Sequence, residues 1–191
     1  KSIEENKQVY DTGHKIFGEN YVQELKEKYE MLPKDIQWHF IGHLQTNKVK
    51  LIAPFVSLIQ SVDSLNLLKE INKEGEKNNR IINCLLQIHI AQEETKFGLS
   101  FDEAEEILKS PEVKAMKNIS IKGLMGMTSL TEDISQIQKE FRSLKNFLTQ
   151  LQTSNFELRT LSMGMTSDYQ IALQEGSTMV RIGSAIFGER I

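Results

Sequence analysis

Arg181 lies in the run STMVRIGSAIFGER, where Met179, Val180, Ile182, Ala185, Ile186 and Phe187 otherwise have the pattern of a buried strand and its exit. A charged side chain enters such a strand only with something to pair with it. Gly183 follows two residues later, on the same side by strand alternation, and Ser184 comes next. Upstream, LRTLSMGMTSDY places Thr166, Ser167 and Asp168 directly after another apolar run, where a helical segment opens. Small hydroxyls and glycine beside fresh helix N-termini suit a phosphate dianion, because exposed N–H groups replace its water. Plain N-capping would account for Thr166, Ser167 and Asp168, and a tight turn for Gly183. Two such turns after two successive strands favour an anion site. Arg181 would then face the rest of a phosphate-bearing ligand, the alternative being a salt bridge to a carboxylate on a neighbouring strand.

Other residues with chemical potential are weaker. His39 and His43 have the spacing of a helical metal pair, but Gly42 and the strand pattern between them argue against a helix, and H-E-x-x-H is absent. Asn20, ending FGEN, falls at the C-terminal edge of a strand, where it could bond a ligand or cap the helix that follows. Cys84 sits in the apolar run INCLLQIHIA and reads as a buried structural thiol. Met125, Met127, Met163 and Met165 read as core, with Met163 and Met165 beside the proposed anion site.

These residues need a scaffold, and the chain alternates short apolar runs with amphipathic ones. The strand candidates are HKIFG, IQWHFIG, SLIQSV, INCLLQIHI, IKGLMGM, ELRTLSMGM and TMVRIGS. Between them fall helix candidates NYVQELKEKYEML, LQTNKVKLIA, SLNLLKEINKEGEKN, SFDEAEEILKSPEVKAM, DISQIQKEFRSLKNFLTQLQT and SDYQIALQEG. Asp63 and Ser64 are expected to cap the third, and Ser100 with Glu103 to form a capping box on the fourth. Strict alternation without hairpin signals predicts parallel strands and an α/β architecture. A doubly wound sheet competes with a (β/α)8 barrel, but there is no G-x-G-x-x-G. The chain opens on a helical pattern ending at Gly13, with no initiator Met, so the barrel is expected to lack its first strand. That count makes ELRTLSMGM the seventh strand and TMVRIGS the eighth, where barrels commonly hold phosphate.

With 191 residues, 39% hydrophobic, 26% charged and a net charge of -3, the sequence suits one domain over residues 1–191 and has no general attraction to nucleic acid or acidic membrane. No apolar stretch reaches the roughly 18 residues of a membrane span. With a single cysteine and no signal-peptide pattern, a cytoplasmic location is expected. No obvious interface element is present, and a monomer is expected.

Taken together, FGENYVQEL, WHFIGHLQTNK, KFGL, GLMGM, LSMGMTSDY and STMVRIGSAIFGER closely resemble, in order and spacing, the pyridoxal phosphate homeostasis protein family, also called proline synthetase co-transcribed homologues. The resemblance runs from Ile3 to Arg190. It implies a barrel like the N-terminal domain of alanine racemase, holding pyridoxal 5'-phosphate (PLP). Position by position, it implies that Arg181 faces the pyridine nitrogen. Thr166, Gly183 and Ser184 would hold the phosphate, Ser162 and Met163 would line the same wall, and Asn20 would lie near the ring. Thr166 stands where the family more often has Ser, and Ser184 where Thr is common; both keep the hydroxyl. The family's Schiff-base lysine would fall two positions before Lys1, outside this sequence, and Lys1, Lys48 and Lys96 are poor substitutes. The implied role is a reversible PLP carrier that passes the cofactor to apo-enzymes without turnover of its own. The alternative is a small racemase using one of Tyr10, Tyr21, Tyr29 and Tyr169 as a second base.

Overall fold

The computed structural model describes residues 1–93, 97–154 and 156–188. Lys96 therefore lies outside the described residues, as do Glu189 and Arg190 of the last motif. The chain begins with helix α1 (Ile3–Asp11), capped by Ser2, whose hydroxyl accepts from Glu5 N while Glu5 returns a bond to Ser2 N. Seven strands follow, alternating with helices: β1 (Ile16–Glu19), α2 (Val22–Met31), β2 (Gln37–Phe40), α3 (Val49–Ile52), β3 (Leu58–Val62), α4 (Leu65–Lys77) and β4 (Ile82–His89). Then come α5 (Phe101–Lys109), α6 (Pro111–Ala115), β5 (Ile119–Met127), α7 (Ile134–Thr153), β6 (Thr160–Met165), α8 (Tyr169–Gln174), β7 (Met179–Arg181) and α9 (Ser184–Phe187). Each expected strand has its counterpart.

All neighbouring strands pair in parallel, in chain order from β1 to β7. The sheet is nearly closed into a barrel, and side chains show how far it curls. Gln60 on β3 approaches the Met179 sulfur on β7 to 3.3 Å. Four strand spacings in a flat sheet would separate these strands by roughly 19 Å. The open side lies between β7 and β1, consistent with a barrel of this type lacking one strand. Lys1 Nζ donates to the Phe187 carbonyl at 3.0 Å, tying the start of the chain to α9.

Alternation divides the core in two. Leu58, Leu85 and Met125, with Met127 and Met179 against them, fill the barrel interior. Outward residues such as Trp38, Phe40, Ile59, Cys84, Leu86 and Leu124 pack in the larger core with the helices. Helix α7 contributes Ile137, Phe141, Leu144, Leu148 and Leu151 at helical spacing on one face. Phe141 is fully buried, so Phe141→Ala is expected to lower unfolding stability by about 3 to 5 kcal/mol, as read from urea denaturation.

Three helix expectations change in detail. The fourth helix candidate splits into α5 and α6, because Pro111 drives Ser110 out of the helical region to ψ 128° while serving as the first residue of α6. LQTNKVKLIA contracts to a 3-10 turn at Thr46–Lys48 and the single-turn α3. Ser64 alone caps α4, while Asp63 turns its carboxylate to His43 at 3.1 Å.

Candidate anion and cofactor site

Arg181 ends β7 and points into the barrel. One terminal nitrogen donates to Ser162 Oγ on β6 at 2.6 Å, and the other to the Gly126 carbonyl on β5 at 3.0 Å. The remaining N–H groups have no protein partner, and no carboxylate forms a salt bridge with it among the described residues. Burial pushes its pKa down to about 10, partly opposed by the nearby Asp168 carboxylate, so the side chain stays charged at neutral pH. A charged fork with spare donors, facing the end of a barrel, presents those donors to an acceptor that enters there.

The two turns anticipated from sequence meet. Thr166 Oγ1 lies 3.4 Å from Gly183 N and 3.5 Å from Ala185 N, both amides directed at it. Beside them Gly183 and Ser184 are exposed, and a Cβ built on Gly183 would touch nothing within 4 Å. The two amides converge on the Thr166 hydroxyl, and the open, exposed face beside them at Gly183 and Ser184 has room for a phosphate group. Asp168 is buried and does not cap α8 through its side chain. Its carboxylate instead accepts from Met165 N at 2.6 Å and from Thr128 Oγ1 at 2.9 Å, which fixes the Thr166 turn to the end of β5.

Ser162 and Met163 part company. Ser162 faces inward to Arg181, whereas the Met163 side chain is fully buried in the outer core between sheet and helices. Strand alternation makes adjacent residues diverge in this way, so only the backbone of Met163 shares the wall. Asn20 follows β1 at the C-terminal rim, is exposed, and makes no side-chain hydrogen bond among the described residues. It does not cap α2, whose first flanking residue is Tyr21. Its carbonyl is pressed against Gly42, where a Cβ would come within 2.1 Å, so the loop after β2 needs glycine there. Arg181 thus bonds Ser162, and Gly183 bonds Thr166, on and just after the adjacent strands β6 and β7, while Asn20 stands apart at the other edge of the sheet.

His39 and His43 do not converge as a metal pair. His39 is buried in the barrel, where Gln60 Nε2 lies 3.1 Å from its Nδ1; His43 lies at the rim, stacked on Phe97 with ring centroids 4.1 Å apart. Burial pushes the His39 pKa from 6.5 down to about 4. The folded state therefore refuses a proton that the unfolded chain accepts, and stability falls as pH drops from about 6.5 towards about 4. We expect a loss of about 2 to 3 kcal/mol from this group by about pH 4.5, seen in urea midpoints and flattened in His39→Asn. Gln60, whose Oε1 accepts from Ser162 Oγ at 2.6 Å, is the residue sequence reasoning missed. A buried glutamine inside the apolar run SLIQSV is the same anomaly that exposed Arg181.

A parallel barrel with an inward guanidinium and two adjoining turns on its last strands points to a class of protein. The chain belongs to the alanine racemase N-terminal domain family, whose model matches residues 3–191. Within it, the chain groups with the pyridoxal phosphate homeostasis proteins. That of Aquifex aeolicus is 41% identical over 96% of this chain and 81% of its own length; that of Pasteurella multocida is 36% identical over 100% and 83%. The structure of PipY from Synechococcus elongatus, solved with PLP bound, is 30% identical with a TM-score of 0.88, covering 97% of this chain and 87% of PipY. Alanine racemase of Clostridium difficile shares the fold at a TM-score of 0.81 and 12% identity, with this chain covering 48% of it.

Proposed function

We propose that the chain binds pyridoxal 5'-phosphate at the ends of β6 and β7 and serves as a reversible carrier of it. The observation that carries this reading is the junction of an inward Arg181 with the Thr166 and Gly183 turns at one rim. Relatives named for pyridoxal phosphate homeostasis, and a PLP-bound neighbour of the same fold, support it. Thr166, Gly183 and Ser184 would hold the phosphate, Arg181 and Ser162 the ring side, with the backbone of Met163 along the wall and Asn20 near the ring. When bound, the group supplies a reactive aldehyde and an electron-accepting ring.

Arg181 decides what the chain does with that chemistry. Even with its pKa lowered, a guanidinium holds its proton at neutral pH, so it donates a hydrogen bond to a pyridine nitrogen without protonating it. An unprotonated ring is a weaker electron sink, which favours storage over turnover. The tyrosines that a racemase would need as a second base are partly committed elsewhere. Tyr10 donates to Asp35 at 2.7 Å and Tyr29 stacks on Phe55 with centroids 3.9 Å apart. Tyr21 and Tyr169 lie at the rim after β1 and β6.

Two measurements test the carrier reading. Equilibrium dialysis against PLP should show one saturable site, and the loaded protein should restore activity to an apo PLP-dependent enzyme. With L-alanine in deuterated water, exchange of the α-proton should run no faster than with free PLP. Exchange at enzyme-like rates would instead favour the racemase, and no saturable binding would remove both readings.

A further inference from the structure

The inner face of the barrel changes character along its length. Leu58, Leu85 and Met125 form an apolar layer, but His39, Gln60 and Ser162 put polar groups into the same closed space. Gln60 is 1% exposed and Ser162 fully buried, so each donor and acceptor there must find a partner or lose its hydration uncompensated. They find each other, and the direction of their hydrogen bonds follows from the one partner that can only accept.

The Met179 thioether fixes the direction. Sulfur of this kind only accepts, so the Gln60 amide nitrogen, 3.3 Å away, must face it and give it a proton. The second amide proton goes to His39 Nδ1 at 3.1 Å, which must then be the unprotonated ring nitrogen. The amide oxygen is left facing Ser162, 2.6 Å away, and can only accept the hydroxyl proton. With its proton committed, Ser162 Oγ can only accept, and at 2.6 Å the donor is Arg181. Gly126 O takes the other terminal nitrogen, so the guanidinium is clamped at both tips.

We propose that His39 and Gln60 are positioning residues that act through Ser162 to hold the Arg181 guanidinium in one orientation, with its spare N–H groups turned to the ligand. Reversing Gln60 would set its oxygen against the sulfur and turn a second donor on Ser162 Oγ, whose own proton would lose its acceptor. The relay spans four strands, β2, β3, β6 and β7, and its first two members, His39 and Gln60, need not touch a ligand. Its role towards bound PLP rests on the function proposed above, whereas the clamp on Arg181 is a property of the free protein.

The test separates the two. In the free, 15N-labelled protein, the terminal guanidinium nitrogens of Arg181 should give separate, slowly rotating signals. Gln60→Met, which keeps side-chain length but offers Ser162 no oxygen to accept its proton, should merge them through free rotation. His39→Asn retains an acceptor near the position of Nδ1 and should keep them separate. Affinity for pyridoxine 5'-phosphate, which has the ring and phosphate but no aldehyde, should fall about tenfold in Gln60→Met and change less than about twofold in His39→Asn. Freely rotating Arg181 signals in the folded parent protein would overturn the clamp without any variant having to fold. Separate signals and undiminished affinity in Gln60→Met would overturn it as well. Clamped signals in a protein that binds no pyridoxine 5'-phosphate would uphold the relay and reject the proposed function.

Discussion

Gly183→Asp is expected to leave the fold intact and to lower affinity for PLP by about 100-fold. The backbone at Gly183, φ -120° and ψ -77°, lies outside the left-handed region, and a Cβ there meets nothing within 4 Å. The substitution therefore adds no strain of the kind that positive φ imposes. It places a carboxylate in the cradle formed with Thr166, a few ångströms from where a dianion would sit. Like charges at such a separation in a partly shielded site oppose each other by several kcal/mol, of which about 2.7 kcal/mol suffices for a 100-fold loss. Thermal unfolding should be unchanged, and isothermal titration with PLP should show the loss. Gly183→Ala, which adds volume without charge, should weaken binding far less, so the pair distinguishes repulsion from crowding.

Arg181→Met is expected to act on both stability and binding. It removes the donor to Ser162 Oγ and strands the buried carbonyl of Gly126, at a cost of about 1 to 3 kcal/mol. It also relieves the burial of an uncompensated charge, which offsets part of that cost. On the proposed site a bound ligand would lose a charged donor on the ring side, and affinity for PLP should fall by about 100-fold or more, in the range found when hydrogen bonds to charged groups are removed. Urea denaturation and titration read the two effects separately. A variant that binds PLP as the parent does would show that Arg181 serves the barrel interior alone.

Much of this site could be read from the order of residues. Parallel alternation follows from apolar runs separated by amphipathic ones, and each of the seven runs is a strand. The spacing of Arg181 to Gly183 places both on one face, although only register decides that this face is the interior. The meeting of the two turns follows from the adjacency of the last two strands. Other features depend on closure of the barrel, which no local pattern encodes. Gln60 and Ser162 are 102 positions apart and touch only because β3 and β6 face each other across the interior. A register shift between Ile59 and Val62 further hides which residues of SLIQSV point inward. Met163 shows the opposite failing: the family resemblance set it on one wall with Ser162, yet period-2 alternation sends its side chain into the outer core. His39 drew attention through its spacing to His43, whereas its buried position and its bond to Gln60 are tertiary facts.

The most direct test of the account is a backbone and arginine side-chain NMR titration with pyridoxine 5'-phosphate, whose lack of an aldehyde prevents any bond to an amine. Saturable shifts are expected, concentrated at the amides of Thr166, Gly183, Ser184 and Ala185 and at the Arg181 guanidinium. Shifts that cluster elsewhere, for example around Gln92 and Gln136 in the cleft beside α7, or no saturable shifts at all, would contradict it.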